Sequence, residues 1–129
     1  MIGVSSSGTG VSSEEFAHVH IHQNHAFSIL AAHTLKSVSS RFVLVRDPHS
    51  HSAYREELVT ESVLKQLRLV NPAKLSTGAF WMSWPRFLRY FSSITISHYN
   101  SDHYDMRDEG QFTRSSTQEV TTYNLHVPE

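Results

Sequence analysis

Two residues stand where paired side chains could do proton-transfer chemistry. His25 opens an apolar run, Asn24 to Ala32, and Asp47 closes a second, Ser40 to Asp47, which carries Phe42, Val43, Leu44 and Val45. An imidazole beside a side-chain oxygen is the base-and-orienter half of nucleophilic peptide-bond hydrolysis. The acceptor fixes the ring tautomer, and the ring takes a proton from a thiol or hydroxyl. Such groups meet in space, not in sequence. If the two runs are antiparallel neighbours, the start of one lies beside the end of the other, and Asp47 can accept from an imidazole N–H. The nucleophile is what the chain lacks, because it has no cysteine. Ser28 is the serine nearest in sequence, but three positions along a strand put it on the face opposite His25. The same two residues also read as a histidine beside a turn and a polar residue at a strand end.

The histidines offer a rival chemistry. His18, His20 and His22 alternate, so on a strand they point the same way, and alternate histidines can bind zinc. A histidine-rich loop is the plainer reading, since no carboxylate follows at a spacing that completes such a site. His49 and His51 read as solvated loop residues.

The elements that must position these groups can be read from pattern. Gly3 to Ser13, rich in Ser and Gly, reads as a loop, and His18 to His22 as extended chain. In the His25 run Phe27, Ile29 and Ala31 share a face. In the Asp47 run Phe42 and Leu44 oppose Val43 and Val45, so both faces are covered. Glu56 to Leu69 reads as a helix, with Val59, Val63, Leu67 and Val70 at helical spacing, Glu61 and Lys65 as an i,i+4 pair, and Asn71-Pro72 as the stop. Phe80 to Ser83 is a short strand. Ser83 caps a helix over Trp84 to Phe91, with Pro85 in its first turn and Trp84, Phe87 and Leu88 on its inner face. Ser93 to Tyr99 is β-like. Asn100 to Gly110 reads as a linker and Glu119 to Val127 as another strand. The class is α+β: an antiparallel sheet with about two helices.

Composition narrows the rest. With 129 residues, 39% of them hydrophobic, and a formal charge of −1, the chain suits one small domain, and neither nucleic-acid binding nor a membrane surface is expected. Disulfides and thiolate metal sites are excluded, which fits a reducing compartment. Met1 to Val4 has no basic segment with an apolar run behind it, no run approaches membrane-spanning length, and the expected location is cytoplasmic.

Three blocks together resemble the second subdomain of the calpain protease core. The family's G-H-A-Y-S-V block around its catalytic histidine corresponds to Asn24-His25-Ala26-Phe27-Ser28-Ile29. Its R-N-P-W-G block around the catalytic asparagine corresponds to Arg46-Asp47-Pro48-His49-Ser50. Its D-G-x-F-W-M-S block and the aromatic helix after it correspond to Thr77-Gly78-Ala79-Phe80-Trp81-Met82-Ser83 and Phe87-Leu88-Arg89-Tyr90-Phe91. Order and spacing agree over Gly3 to Tyr99, and the serine- and glycine-rich opening resembles that of calpains without calmodulin-like domains. The resemblance implies that His25 is the catalytic base and Asp47 its orienting acceptor. It implies that the nucleophile lies in a missing cysteine-bearing subdomain, that residues 1–99 are the His/Asn half of the core, and that residues 100–129 lead into a β-sandwich-like domain. Protein or peptide substrates of a longer parent follow.

Three departures carry chemical weight. Asp47 replaces asparagine and adds a charge that favours imidazolium. His49 replaces the tryptophan that shields the His–acceptor bond. Thr77 and Ala79 stand where the family has calcium-binding carboxylates, and neither is a good hard-cation ligand, so no calcium or other cofactor is expected. Three readings therefore stand: half of a calpain-type endopeptidase, a noncatalytic protein-binding relative of one, and a histidine-rich metal-binding β domain.

Overall fold

The computed structural model describes residues 1–72 and 77–97. All of them belong to the first of two units, Met1–His98. The elements in chain order are β1 (Ile2–Ser5), α1 (Ser13–His18), β2 (Ala26–Leu35), a 3-10 turn at Lys36–Val38, β3 (Ser40–Arg46), α2 (Glu61–Val70), β4 (Ala79–Ser83), α3 (Trp84–Tyr90) and β5 (Ser93–Ile96). The strands form one antiparallel sheet in the order β4-β3-β2-β1-β5. The class is α+β, with three helices among the described residues. The strand expected over Glu119 to Val127 and the linker over Asn100 to Gly110 lie outside them.

β3 is buried on both faces, as its unbroken apolar run requires. Phe42 and Leu44 join Leu35, Val63, Leu67 and Trp81 on the α2 side. Val43 and Val45 join Val4, Phe16, Phe27, Phe80, Met82, Phe87 and Tyr90 on the side of α1 and α3. The register with β4 enforces this split, because Val45 faces Phe80, Leu44 faces Trp81 and Val43 faces Met82.

β2 departs from its expected alternation. The pairing with β3 jumps from Ile29↔Val45 to Ala31↔Leu44, leaving Leu30 as the extra residue of a bulge. Phe27 and Ile29 therefore pack on the α1/α3 side and Ala31 on the α2 side; they do not share a face. A bulge inserts one residue and reverses the alternation beyond it.

The opening segment is not simply a loop. Ile2–Ser5 pairs with β2 on one side and β5 on the other, and Ser12 caps α1 by accepting from the Glu15 N–H at 3.2 Å. Nor are residues 18–22 a strand. α1 ends at His18, His20 has a left-handed φ of 55°, and buried Ile21 anchors the turn in the core. His18, His20 and His22 are thereby denied the common face that a strand would give them.

α2 begins five residues later than its periodicity suggested. Thr60 caps it by accepting from the Val63 N–H at 3.3 Å. Glu56 is diverted: its carboxylate accepts from the Ser83 N–H and, at 2.9 Å, from the Ser83 hydroxyl. Ser83 thus precedes α3 without a side-chain cap bond. Glu61 pairs with Arg68 at 3.7 Å instead of Lys65; both side chains are exposed, so the pair stabilises little. On α3, Phe87 and Tyr90 are buried while Leu88 is 58% exposed, so Leu88 is not part of the inner face. Trp84, Phe87 and Phe91 form a stacked ladder, with centroids 5.4 and 5.0 Å apart.

Candidate functional site

The last β2–β3 pair at one end of the sheet is Ser28↔Arg46. The chain enters β2 through His25 and leaves β3 through Asp47, so the two emerge side by side at that end. Each lies just outside its strand instead of within it.

His25 is held by its backbone. It follows Asn24, whose φ is 55°, a conformation asparagine tolerates well. The fully buried Ser6 ties down the whole turn. Its hydroxyl donates to the His22 carbonyl at 2.6 Å and accepts from the His25 N–H at 3.0 Å. Its backbone N–H donates to the His25 carbonyl at 3.0 Å, and its carbonyl accepts from the Asn24 N–H at 2.9 Å. β1, which carries the chain into Ser6, is therefore a scaffold for the histidine.

Asp47 is also completely buried. Three donors hold its carboxylate: the His49 N–H on Oδ1 at 2.9 Å, and the Ser52 N–H at 2.9 Å and Ser52 hydroxyl at 2.7 Å on Oδ2. Burial is the largest influence and pushes the carboxyl pKa up. The Ser52 hydroxyl, the two backbone donors and the nearby His25 together outweigh it and hold the pKa below the ordinary value. Gly78, at a left-handed φ of 78°, fits against this turn. Its carbonyl accepts from the Asp47 N–H at 3.0 Å, and a Cβ there would come within 2.6 Å of the Asp47 carbonyl oxygen.

No hydrogen bond joins His25 to Asp47 among the described contacts. The carboxylate is engaged by its own loop, and the imidazole Nε2 is buried without a partner. The link between the two runs through Ser52, whose hydroxyl donates to Asp47 and accepts from the His22 N–H at 3.1 Å. Ala53 adds a backbone bond to the His20 carbonyl at 3.0 Å. Two buried serines thus hold the site, Ser6 within the histidine turn and Ser52 between that turn and the Asp47 loop. Neither was singled out in the sequence, where nothing but position distinguishes them from the other serines.

His49 stacks on His25, with centroids 4.5 Å apart and planes at 26°. Its ring is smaller and more polar than an indole. His22 meets His25 edge-on at 4.9 Å, and His51 lies 6.0 Å from both His22 and His49. The four rings form a closed circuit. His49 and His51 are exposed loop residues, as expected, and their rings belong to this cluster.

Thr77 lies in the turn before β4, and Ala79 is its first residue, paired with Arg46. Among the described residues no three His, Asp or Glu side chains are placed to hold a metal ion as they stand. A cavity of about 580 Å³ lies elsewhere, lined by Glu15, Tyr54, Glu56, Arg86 and Tyr90 among others. Two of its carboxylates are engaged within the fold, Glu56 by Ser83 and Glu15 by Arg89. Arg89 makes a two-pronged bond to Glu15 at 2.6 and 2.7 Å, which holds the Glu15 carboxyl below its ordinary pKa.

No described helix is long and apolar enough to cross a membrane. Matched against models of known families, residues 1–98 fit the calpain family cysteine protease model. The match takes in β1, which leads into Ser6, and with it His25, Asp47 and the aromatic block of β4 and α3. This chain belongs to the calpain family of cysteine proteases.

Proposed function

We propose that this chain is the histidine-and-acceptor half of a calpain-type cysteine endopeptidase core, acting on protein or peptide substrates only in company with a cysteine-bearing half. In this reading His25 is the general base and Asp47 its orienter. The observation that supports it most is their emergence at one end of adjacent antiparallel strands, each fixed by a buried serine. The unpartnered Nε2 of His25 is the atom that would donate to an acceptor, and turning Asp47 toward it means giving up bonds to Ser52 or His49. The base and orienter are therefore near each other but not engaged, and this half alone carries no nucleophile.

A second reading, a noncatalytic protein-binding relative, draws on a different observation: Asp47 is already satisfied by three donors and His49 shields poorly. Cleavage of unfolded casein separates the two. The purified chain is assayed alone and mixed with a calpain-type cysteine half, against His25→Ala and His49→Trp. The endopeptidase reading expects no turnover by the chain alone, weak turnover by the mixture, loss with His25→Ala and a gain with His49→Trp. A folded mixture with no turnover in any variant favours the noncatalytic reading, and turnover by the lone chain that disappears in His25→Ala refutes both.

A further inference from the structure

We propose that Ser6 is a positioning residue for His25, setting where the imidazole stands relative to Asp47. Ser6 bears on the reaction only through His25, so this rests on the endopeptidase reading. Every polar group of Ser6 is committed to the turn that presents the histidine. Its hydroxyl accepts from the His25 N–H at 3.0 Å and donates to the His22 carbonyl at 2.6 Å. The single hydroxyl proton has a second acceptor in reach, the His25 carbonyl at 3.1 Å. The Ser6 N–H already serves that carbonyl at 3.0 Å, so the shorter contact takes the proton. The Ser6 carbonyl accepts from the Asn24 N–H at 2.9 Å. One fully buried residue thus bonds residues 22, 24 and 25 and, among the described contacts, nothing else.

A serine that only filled space would need one partner for its hydroxyl. Ser6 does more, because His22 is held on both sides. The His22 carbonyl accepts from Ser6, and the His22 N–H donates at 3.1 Å to the Ser52 hydroxyl, which donates at 2.7 Å to Asp47 Oδ2. The donors run in one sense, from the His25 N–H through Ser6 to His22, and from His22 through Ser52 to the carboxylate. Both ring neighbours of His25 belong to segments that this path fixes. His22 meets it edge-on at 4.9 Å. His49 stacks on it at 4.5 Å, and the His49 N–H donates to Asp47 Oδ1 at 2.9 Å. Removing the Ser6 hydroxyl takes from the His25 N–H and the His22 carbonyl the side-chain partner that each has. Unpaired backbone groups in such a place are costly, so the turn moves to pair them, and the imidazole moves with it.

Side-chain NMR of the full chain tests this, with the imidazole Cε1–H signals of His25 and His49 read at one pH. Ser6→Ala should displace both, while His33, which lies against Trp81 with centroids 5.9 Å apart, should stay. Leu67→Ala, at a fully buried position on the α2 side, destabilises the domain without touching the turn, so it should leave the His25 and His49 signals in place. Mixed with a calpain-type cysteine half and corrected for the folded fraction, Ser6→Ala should lower kcat on casein by about tenfold or more, with KM within about twofold of wild type. Unmoved signals in folded Ser6→Ala, equal movement in Leu67→Ala, or an unchanged kcat overturns the proposal. A wild-type mixture without turnover removes the base role of His25, while displaced signals in Ser6→Ala still support placement of the ring by Ser6. If Ser6→Ala does not fold, the wild type carries the test: a Ser6 hydroxyl proton protected from exchange, with a nuclear Overhauser contact to the His25 amide, is expected, and its absence overturns the proposal.

Discussion

Ser52→Ala tests the connection between the two halves of the site. The substitution removes a hydroxyl that donates to Asp47 Oδ2 at 2.7 Å and accepts from the His22 N–H at 3.1 Å. A hydrogen bond to a charged group contributes about 1.5–3 kcal/mol, and a neutral one about 0.5–1.5 kcal/mol. The sum is about 2–4.5 kcal/mol, a large share of the stability of a small domain. The larger part should depend on pH. Asp47 has a folded pKa below its unfolded value, so its contribution is fully present above the unfolded carboxylate pKa of about 3.9. It is lost as pH falls through the lower folded value. Ser52→Ala removes one of the groups that depress that pKa. The difference between wild type and variant should therefore be greatest at neutral pH and shrink as Asp47 protonates. Urea unfolding at a series of pH values from neutral to acidic measures it. A pH-independent difference, or one below about 0.5 kcal/mol at neutral pH, would refute the reasoning, because Asp47 would then be held without Ser52.

Three further outcomes are expected. Gly78→Ala places a Cβ against the Asp47 carbonyl at a left-handed φ, so it should destabilise by about 1–3 kcal/mol or more and shift the Asp47 and Ser50 amide resonances in a heteronuclear NMR spectrum; unchanged shifts would contradict the contact. Leu67→Ala empties a fully buried position beneath β3 and should cost about 2–5 kcal/mol in chemical denaturation, whereas Leu69→Ala, at an 82% exposed position on the same helix, should change little. Calcium should not bind tightly, because Thr77 and Ala79 offer no carboxylate; a calorimetric site of micromolar affinity or better would show that other carboxylates form one.

What could be read from the sequence was what side-chain chemistry reveals. The run Phe42 to Val45 announced a strand covered on both faces, and the aromatic block announced β4 and α3. His25 and Asp47 could be brought to one end of a sheet because antiparallel pairing leaves little choice. β1 was missed because its place comes from backbone pairing on both sides, while its flanks are small and polar. α1 carried a usable signal, Ser12 three residues before Glu15, which is the pattern of a capped helix start. The alternation of His18, Val19, His20, Ile21 and His22 misled because a single buried residue, Ile21, anchors a turn as readily as a strand. Glu56 fitted the helical pattern but was claimed by Ser83, a competition between distant residues that periodicity does not register.

The bulge at Leu30 gives the sheet a reserve of length. Since Ile29 and Ala31 already lie on opposite faces, removing Leu30 would merely regularise the ladder, leaving the residues on either side in their present slots. The strand that delivers His25 can thus lose one residue without moving the imidazole relative to Asp47, because the Ser28↔Arg46 pairing, not the count of residues back to the hairpin, sets that end. A gain of one residue has no such allowance. Length variation in this hairpin should accordingly be lopsided, with single deletions absorbed near position 30 and single insertions disrupting the ladder further.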